Sequence, residues 1–277
     1  MKIDTGALKL PPTRVLFMHS SRIAARWGTN RTQLRAMLNS SQAEVQRLGE
    51  TLAAKRPPAV ADRITEIERY RQYLCGRSAA IRHGVPQNQM VEMATRGSKS
   101  PRWAALILDL VTALRPARVL EMGTAIGVSG AYIAAGLEAN GCGELVTVES
   151  SRRRHDLARA TFLDLGLDPY VTAVHGSFDS TLESLAADGV PIDLVFKDGA
   201  HTRSATTGWF DTLAPALADR SAFLFDDIRR DDGMHDAWED VRRRPRVAAS
   251  VDFFGMGLLV LAPADHPQPE VFRFGIR

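Results

Sequence analysis

The sequence has little cysteine, little lysine and no long apolar run. Only Cys75 and Cys142 occur in 277 residues, far apart and without CxxC spacing. That excludes a cysteine zinc site and argues against a disulfide framework. The opening MKIDTGALKL has no apolar h-region, and no stretch approaches the ~18 apolar residues of a membrane span. A soluble, cytoplasmic protein with no membrane partner is the expectation. Lysine stands only at positions 2, 9, 55, 99 and 197, in a total of 35 lysines and arginines, and the formal net charge is +3. So mild a charge permits acidic partners without requiring them. The basic runs Arg152–Arg154 and Arg242–Arg244 lack interleaved aromatics. They read as solvated helix faces, and nucleic acid is not the expected partner.

The first hundred residues also lack any alternating, β-branched strand pattern. Leu34, Met37 and Leu38 recur at helical spacing, as do Ile64, Ile67, Tyr70 and Leu74, which predicts helices over 20–55 and 59–82. Pro57-Pro58 separates them, and HGVPQNQ at 83–89 reads as a loop. After residue 100 the pattern becomes a regular alternation. Strands are expected at 118–122, 144–150, 171–176, 193–197 and 222–227, with helices at 101–114, 128–138, 152–165, 180–187, 204–217 and 233–243. Segments 248–254 and 257–262 are spaced as a hairpin. The fold expected is α/β: a Rossmann-like, doubly wound, mainly parallel seven-stranded sheet with a C-terminal antiparallel hairpin. It fills residues 98–277, behind an N-terminal helical extension over 1–97.

Open sheets of this kind bind ligands outside the carboxyl ends of their strands. Here those ends are polar. The first strand runs into EMGTAIGVS, 121–129, where Gly123 allows a tight turn and Gly127 lets a helix N-terminus approach a ligand. Position 125 is Ala and 128 is Val, which departs from the dinucleotide glycine pattern, and there is no Walker lysine. An acidic residue at this strand end repels a pyrophosphate and suits a cationic ligand carrying an amino acid group. Glu149 closes the second strand and is placed to accept both hydroxyls of a ribose. LVFKDGAHT, 194–202, and FLFDDI, 223–228, aim Lys197, Asp198, His201, Asp226 and Asp227 out of two core strands.

In this order, VLEMGTAIGVS, Glu149, GSFDS at 176–180, KDGAH and FDDI resemble the motifs of class I S-adenosylmethionine-dependent methyltransferases. The closest branch is the metal-dependent catechol O-methyltransferase type, and the resemblance covers roughly residues 98–262. It implies that Glu121, Gly123, Thr124, Gly127 and Ser129 hold the methionine part of S-adenosylmethionine, with Ser129 near its carboxylate. Glu149 and Ser150 would take the ribose, and Ser177 and Phe178 the adenine. In that branch the fourth strand end supplies a metal-binding Asp and, three positions on, a Lys base, while the fifth supplies an Asp-Asn pair. Those positions fall here on Asp198, His201, Asp226 and Asp227.

The resemblance therefore implies Mg²⁺ on Asp198, Asp226 and Asp227, acidifying the hydroxyl of a small-molecule acceptor. His201, with an ordinary pKa of about 6.5, would take the proton. His201 stands where Lys is usual, so a base, a further metal ligand and a substrate contact all remain open for it. O-methyl transfer is the expected activity. Metal-independent N-methylation and non-catalytic binding of the cofactor are the alternatives. The helical extension would serve as a lid, a homodimer interface, or both. Of the remaining candidates, His175 is expected to pack in its strand, Asp231 and Asp232 to cap a helix, His235 to be exposed, and Trp103, Trp209 and Trp238 to pack.

Overall fold

The structure, a computed structural model, describes residues 31–263 and 268–274. The start of the helix expected over 20–55 lies outside these residues. Within them the segment is two helices, α1 (Arg31–Leu38) and α2 (Ala43–Ala53). The break is made by Ser40 and Ser41, which turn their hydroxyls to Glu270 (2.5 Å each), joined by the Ser41 amide at 2.9 Å. Hydroxyls that bond elsewhere stop supporting a helix. Helices α3 (Pro58–Leu74) and α4 (Arg77–His83) follow. The loop expected at 83–89 is shorter than foreseen. Gly84 closes α4 and Pro86 precedes α5 (Gln87–Thr95), which buries Met90 and Ala94, one turn apart. The breakers mark a helix-to-helix turn.

Helix α6 (Pro101–Leu114) leads into the alternation read from the sequence. It comprises β1 (Arg118–Met122), α7 (Val128–Asn140), β2 (Glu144–Glu149), α8 (Arg152–Asp164), β3 (Val171–His175), α9 (Phe178–Ala187), β4 (Ile192–Lys197), α10 (Arg203–Leu213), β5 (Leu217–Asp226) and α11 (Asp232–Val241). Strands β6 (Val247–Asp252) and β7 (Met256–Leu261) form the hairpin. Seven strands were expected and eight are described. The eighth, β8 (Glu270–Arg273), adds in parallel to β6 at the sheet edge. Four residues are too few for a period-2 pattern to show. Its anchor is tertiary: Phe272 and Phe274 are buried, and Phe274 stacks on Phe253 at 5.4 Å.

The sheet order is β3-β2-β1-β4-β5-β7-β6-β8, with only β7 antiparallel among the described strands. The chain leaves β1 toward one edge and returns to β4 on β1's other side. Their carboxyl ends therefore diverge into helices on opposite faces and open a crevice, the topological switch point.

The helices before residue 97 share core with this sheet. Met37, Val45 and Leu48 join Leu106, Leu110 and Phe272 in one apolar cluster. Polar clasps reinforce the seam: Arg56 makes two bonds to the buried Asp109 (2.7 and 2.6 Å), and Tyr132 donates to Glu68 (2.6 Å). Among the described residues, no helix is long and apolar enough to cross a membrane.

Candidate active site

The crevice between β1 and β4 is closed at its floor by direct backbone packing. Gly123 has φ +111°, and a Cβ there would lie 2.5 Å from the Asp198 carbonyl oxygen. Only glycine lets the two loops approach so closely. The second tight approach is Gly199, where a Cβ would meet the Phe178 ring at 2.7 Å. Three non-glycine residues in these loops have left-handed backbone: Ala125 (φ 48°), Ala200 (φ 40°) and Asp227 (φ 55°). Strain collected at three adjacent strand ends is a mark of a functional site.

The loop after β1 is held from below. Glu121 is fully buried, with its Oε2 accepting from Thr147 at 2.6 Å. Thr124 bonds Thr147 in turn (2.5 Å). Ser129, expected near a ligand carboxylate, is buried beside Glu121. Burial pushes the Glu121 carboxyl up to about 7, and its Oε1 has no partner. The folded protein keeps this proton to higher pH than the unfolded chain, so the contribution to stability is complete below about 4.5 and is lost as pH rises through about 7. Glu121→Gln removes that slope. Urea midpoints of the wild type should fall between pH 5 and pH 8 relative to those of the variant; parallel curves would refute the assignment.

Glu149 accepts from the Ala125 amide (3.0 Å) and the Ser151 amide (2.8 Å), so the β2 end braces the β1 loop. Arg154 also reaches it (2.8 Å). Arg154 is exposed, as the sequence reading expected, and the turn from β2 into α8 also lets it pair with the carboxylate. Ser150 is exposed, and its carbonyl accepts from His175 Nε2 at 3.2 Å. His175 is itself exposed, contrary to its expected packing, because it lies at the open end of the outermost parallel strand. Ser177 caps α9, and Phe178 meets Trp209 edge-on at 5.0 Å. Asp231 caps α11 through the Met234 amide (2.9 Å), His235 is exposed and Trp238 is buried, as expected.

Across the crevice, Asp198, His201 and Asp226 bring one donor atom each to within 4.8 Å of one another. His201 Nε2 lies 3.6 Å from both Asp198 Oδ1 and Asp226 Oδ2, and 3.7 Å from Asp227 Oδ2. These separations exceed hydrogen-bond length, so the ring is held by charge. Asp227 is the outlying member, with a side chain about half exposed (47%). Lys99, which no motif flagged, completes the cluster. Its ammonium bonds Asp226 and lies 3.2 Å from Asp198 Oδ1. Lys197 is wholly buried behind it, donating to the Ala200 carbonyl at 3.4 Å.

These charges set one another. Asp198 and Asp226 push the His201 imidazole up to about 9, so it is an imidazolium at neutral pH. Burial opposes the charge on Lys99, but Asp198 and Asp226 outweigh it and raise its pKa. Burial raises Asp198 to about 6, while His201 and Lys99 hold Asp226 down against burial. Desolvation lowers Lys197 to about 8.

The loop and strand-end residues suit S-adenosylmethionine: a glycine floor, an orphaned buried carboxylate oxygen on Glu121 and a carboxylate at the end of β2. Mg²⁺ suits the cluster poorly. It demands about six oxygens in near-octahedral array, whereas here the Lys99 ammonium already faces the carboxylates of Asp198 and Asp226. A cation held there repels another.

Residues 120–228 match the family model described as a methyltransferase domain. The chain carries a methyltransferase domain. A protein of Mycobacterium sp. (strain JLS), provisionally named an O-methyltransferase, is 32% identical over 104 residues, or 37% of this chain. The match spans about half (46%) of that curated relative's length. Two solved structures have the same fold. The O-methyltransferase from Bacillus cereus, in complex with SAH, is 20% identical with TM-score 0.54, covering 78% of this chain and 96% of its own. TomG from Streptomyces achromogenes, an O-methyltransferase involved in tomaymycin synthesis and solved with SAM, is 20% identical with TM-score 0.53, covering 77% and 93%. The methyltransferase domain thus contains every strand-end residue read from the sequence. Lys99 lies outside the matched residues, delivered by the segment before α6.

Proposed function

We propose that the chain transfers a methyl group from S-adenosylmethionine to a hydroxyl of a small molecule, with Asp198 accepting the hydroxyl proton. One observation carries the reading: the Gly123 loop and the Asp198–His201–Asp226 cluster abut at the switch point, so a cofactor on the first borders an acceptor at the second. When bound, S-adenosylmethionine supplies a sulfonium methyl whose S–C bond breaks, leaving its electron pair on sulfur, as the O–C bond forms. Glu149 would hold the ribose, Phe178 the adenine face, and the Gly123–Gly127 loop the methionine part. Asp198, ionised above about 6 yet more basic than an ordinary carboxylate, takes the proton. His201 and Lys99, both cationic, stabilise the oxyanion that this leaves. The same two charges disfavour a cationic amine acceptor. A pure cofactor binder has no use for such a cluster. The Mg²⁺ expected from the resemblance is given no step here, because Lys99 holds the carboxylate oxygens it needs.

Calorimetric titration with S-adenosylhomocysteine tests the cofactor half. Wild type should bind, and Glu149→Ala should weaken binding by about tenfold or more, the worth of a charge-assisted hydrogen bond. Equal affinities would remove Glu149 from the site. Absence of binding to the wild type would remove the reading.

A further inference from the structure

We propose that Lys99 is the resident cation of this site, a positioning residue that takes the place of a divalent metal between Asp198 and Asp226. The inference deepens the methyl-transfer reading and rests on it for its functional meaning, though not for its test. Three carboxylates drawn to adjacent strand ends need a neutralising charge. The chain provides it from the segment just before α6, upstream of the matched residues 120–228. The Lys99 ammonium bonds Asp226, lies 3.2 Å from Asp198 Oδ1, and is only 16% exposed. His201 Nε2 lies 3.6 Å from each of the same two carboxylates.

The placement is braced from the opposite direction. Arg71, itself buried, donates to the Lys99 backbone carbonyl at 2.5 Å and pairs with Glu68 at 3.0 Å. Glu68 accepts from Tyr132 of α7 at 2.6 Å. Two residues after Lys99, Pro101 starts α6 with its fixed φ, limiting the backbone there. A chain of polar contacts therefore runs from the helix that follows the cofactor loop, through α3, to Lys99 and the two carboxylates. An ammonium so fixed orders Asp198 and Asp226 as a metal would, but adds one charge in place of two. That leaves Asp198 free to take a proton. Composition agrees. In a chain that uses arginine for most of its positive charge, two of five lysines stand at this cluster. A compact ammonium fits between two carboxylates where a planar guanidinium does not.

The test is Mn²⁺ titration of the full-length protein, read by the loss of the free-ion electron paramagnetic resonance signal, on wild type, Lys99→Met and Lys99→Ala. Wild type should leave Mn²⁺ free. Each variant should bind one ion at least about a hundredfold more tightly, because a unit positive charge about 4 Å from the site has been removed. Adding Asp226→Asn to either variant should abolish that binding. Two results overturn the proposal: stoichiometric micromolar binding by wild type that Asp226→Asn abolishes, or folded variants no tighter than wild type. The wild-type arm does not depend on whether a variant folds. Calorimetry with S-adenosylhomocysteine on the same samples separates the two claims. Loss of cofactor binding in wild type sinks the methyl-transfer reading, while the Mn²⁺ titration alone decides the place of Lys99.

Discussion

Asp198→Asn should lower the rate of methyl transfer by about 10²–10⁴-fold, the usual worth of a positioned general base. S-adenosylhomocysteine affinity should hardly change, because the side chain faces Lys99 and His201 while its backbone alone meets Gly123. The pH profile supplies the second readout. Asp198, raised by burial to about 6, must be ionised to accept a proton, so the rate falls as pH drops through that value. His201, held up at about 9 by Asp198 and Asp226, must be charged to stabilise the oxyanion, so the rate falls as pH rises past it. Asp198→Asn erases the acid limb, and His201→Gln erases the alkaline one. A rate in Asp198→Asn within a few-fold of wild type would place the base elsewhere, with Lys197 next in line.

The largest effect on stability should come from Arg56→Met, which removes one partner of a buried ion pair and costs about 3–5 kcal/mol. Asp109 lies in α6 beneath the helical extension, and burial keeps its pKa raised even with Arg56 in place. Without the guanidinium that shift grows. The variant's deficit is therefore greatest well above the ordinary carboxylate range and shrinks as acid neutralises Asp109. Urea denaturation at pH 5 and pH 8 measures both effects. Arg56→Met/Asp109→Leu should recover most of the loss, because a neutral pair leaves no buried charge behind. A single variant as stable as wild type at pH 8 would mean that the extension is held by its apolar contacts alone.

The methyltransferase domain was legible in the sequence because its signals are local. Periods of 2.0 and 3.6 residues locate strands and helices, and a parallel sheet places every strand's carboxyl end on one edge. The polar residues at 121, 149, 198 and 226 were therefore bound to lie along that edge, and the order β2-β1-β4-β5 is what brings them together. The eighth strand was not legible, since four residues held by Phe272, Phe274 and the Glu270 bonds to Ser40 and Ser41 carry no period of their own. The same holds for the surroundings of three polar residues. Arg154 pairs with Glu149, Ser129 is buried beside Glu121, and Lys99 arrives between Asp198 and Asp226 from 99 and 127 positions up the chain.

His201 shows the difference most clearly. Its position was readable from the KDGAH motif, but its charge was not. An imidazole titrates according to what surrounds it, and two carboxylates brought in from separate strands move it from about 6.5 to about 9. The residues alone determined which groups reach the crevice, since strand ends follow from local pattern. Only the tertiary structure decided which cation stands among them, because electrostatic energy depends on distance across the fold and not on separation along the chain.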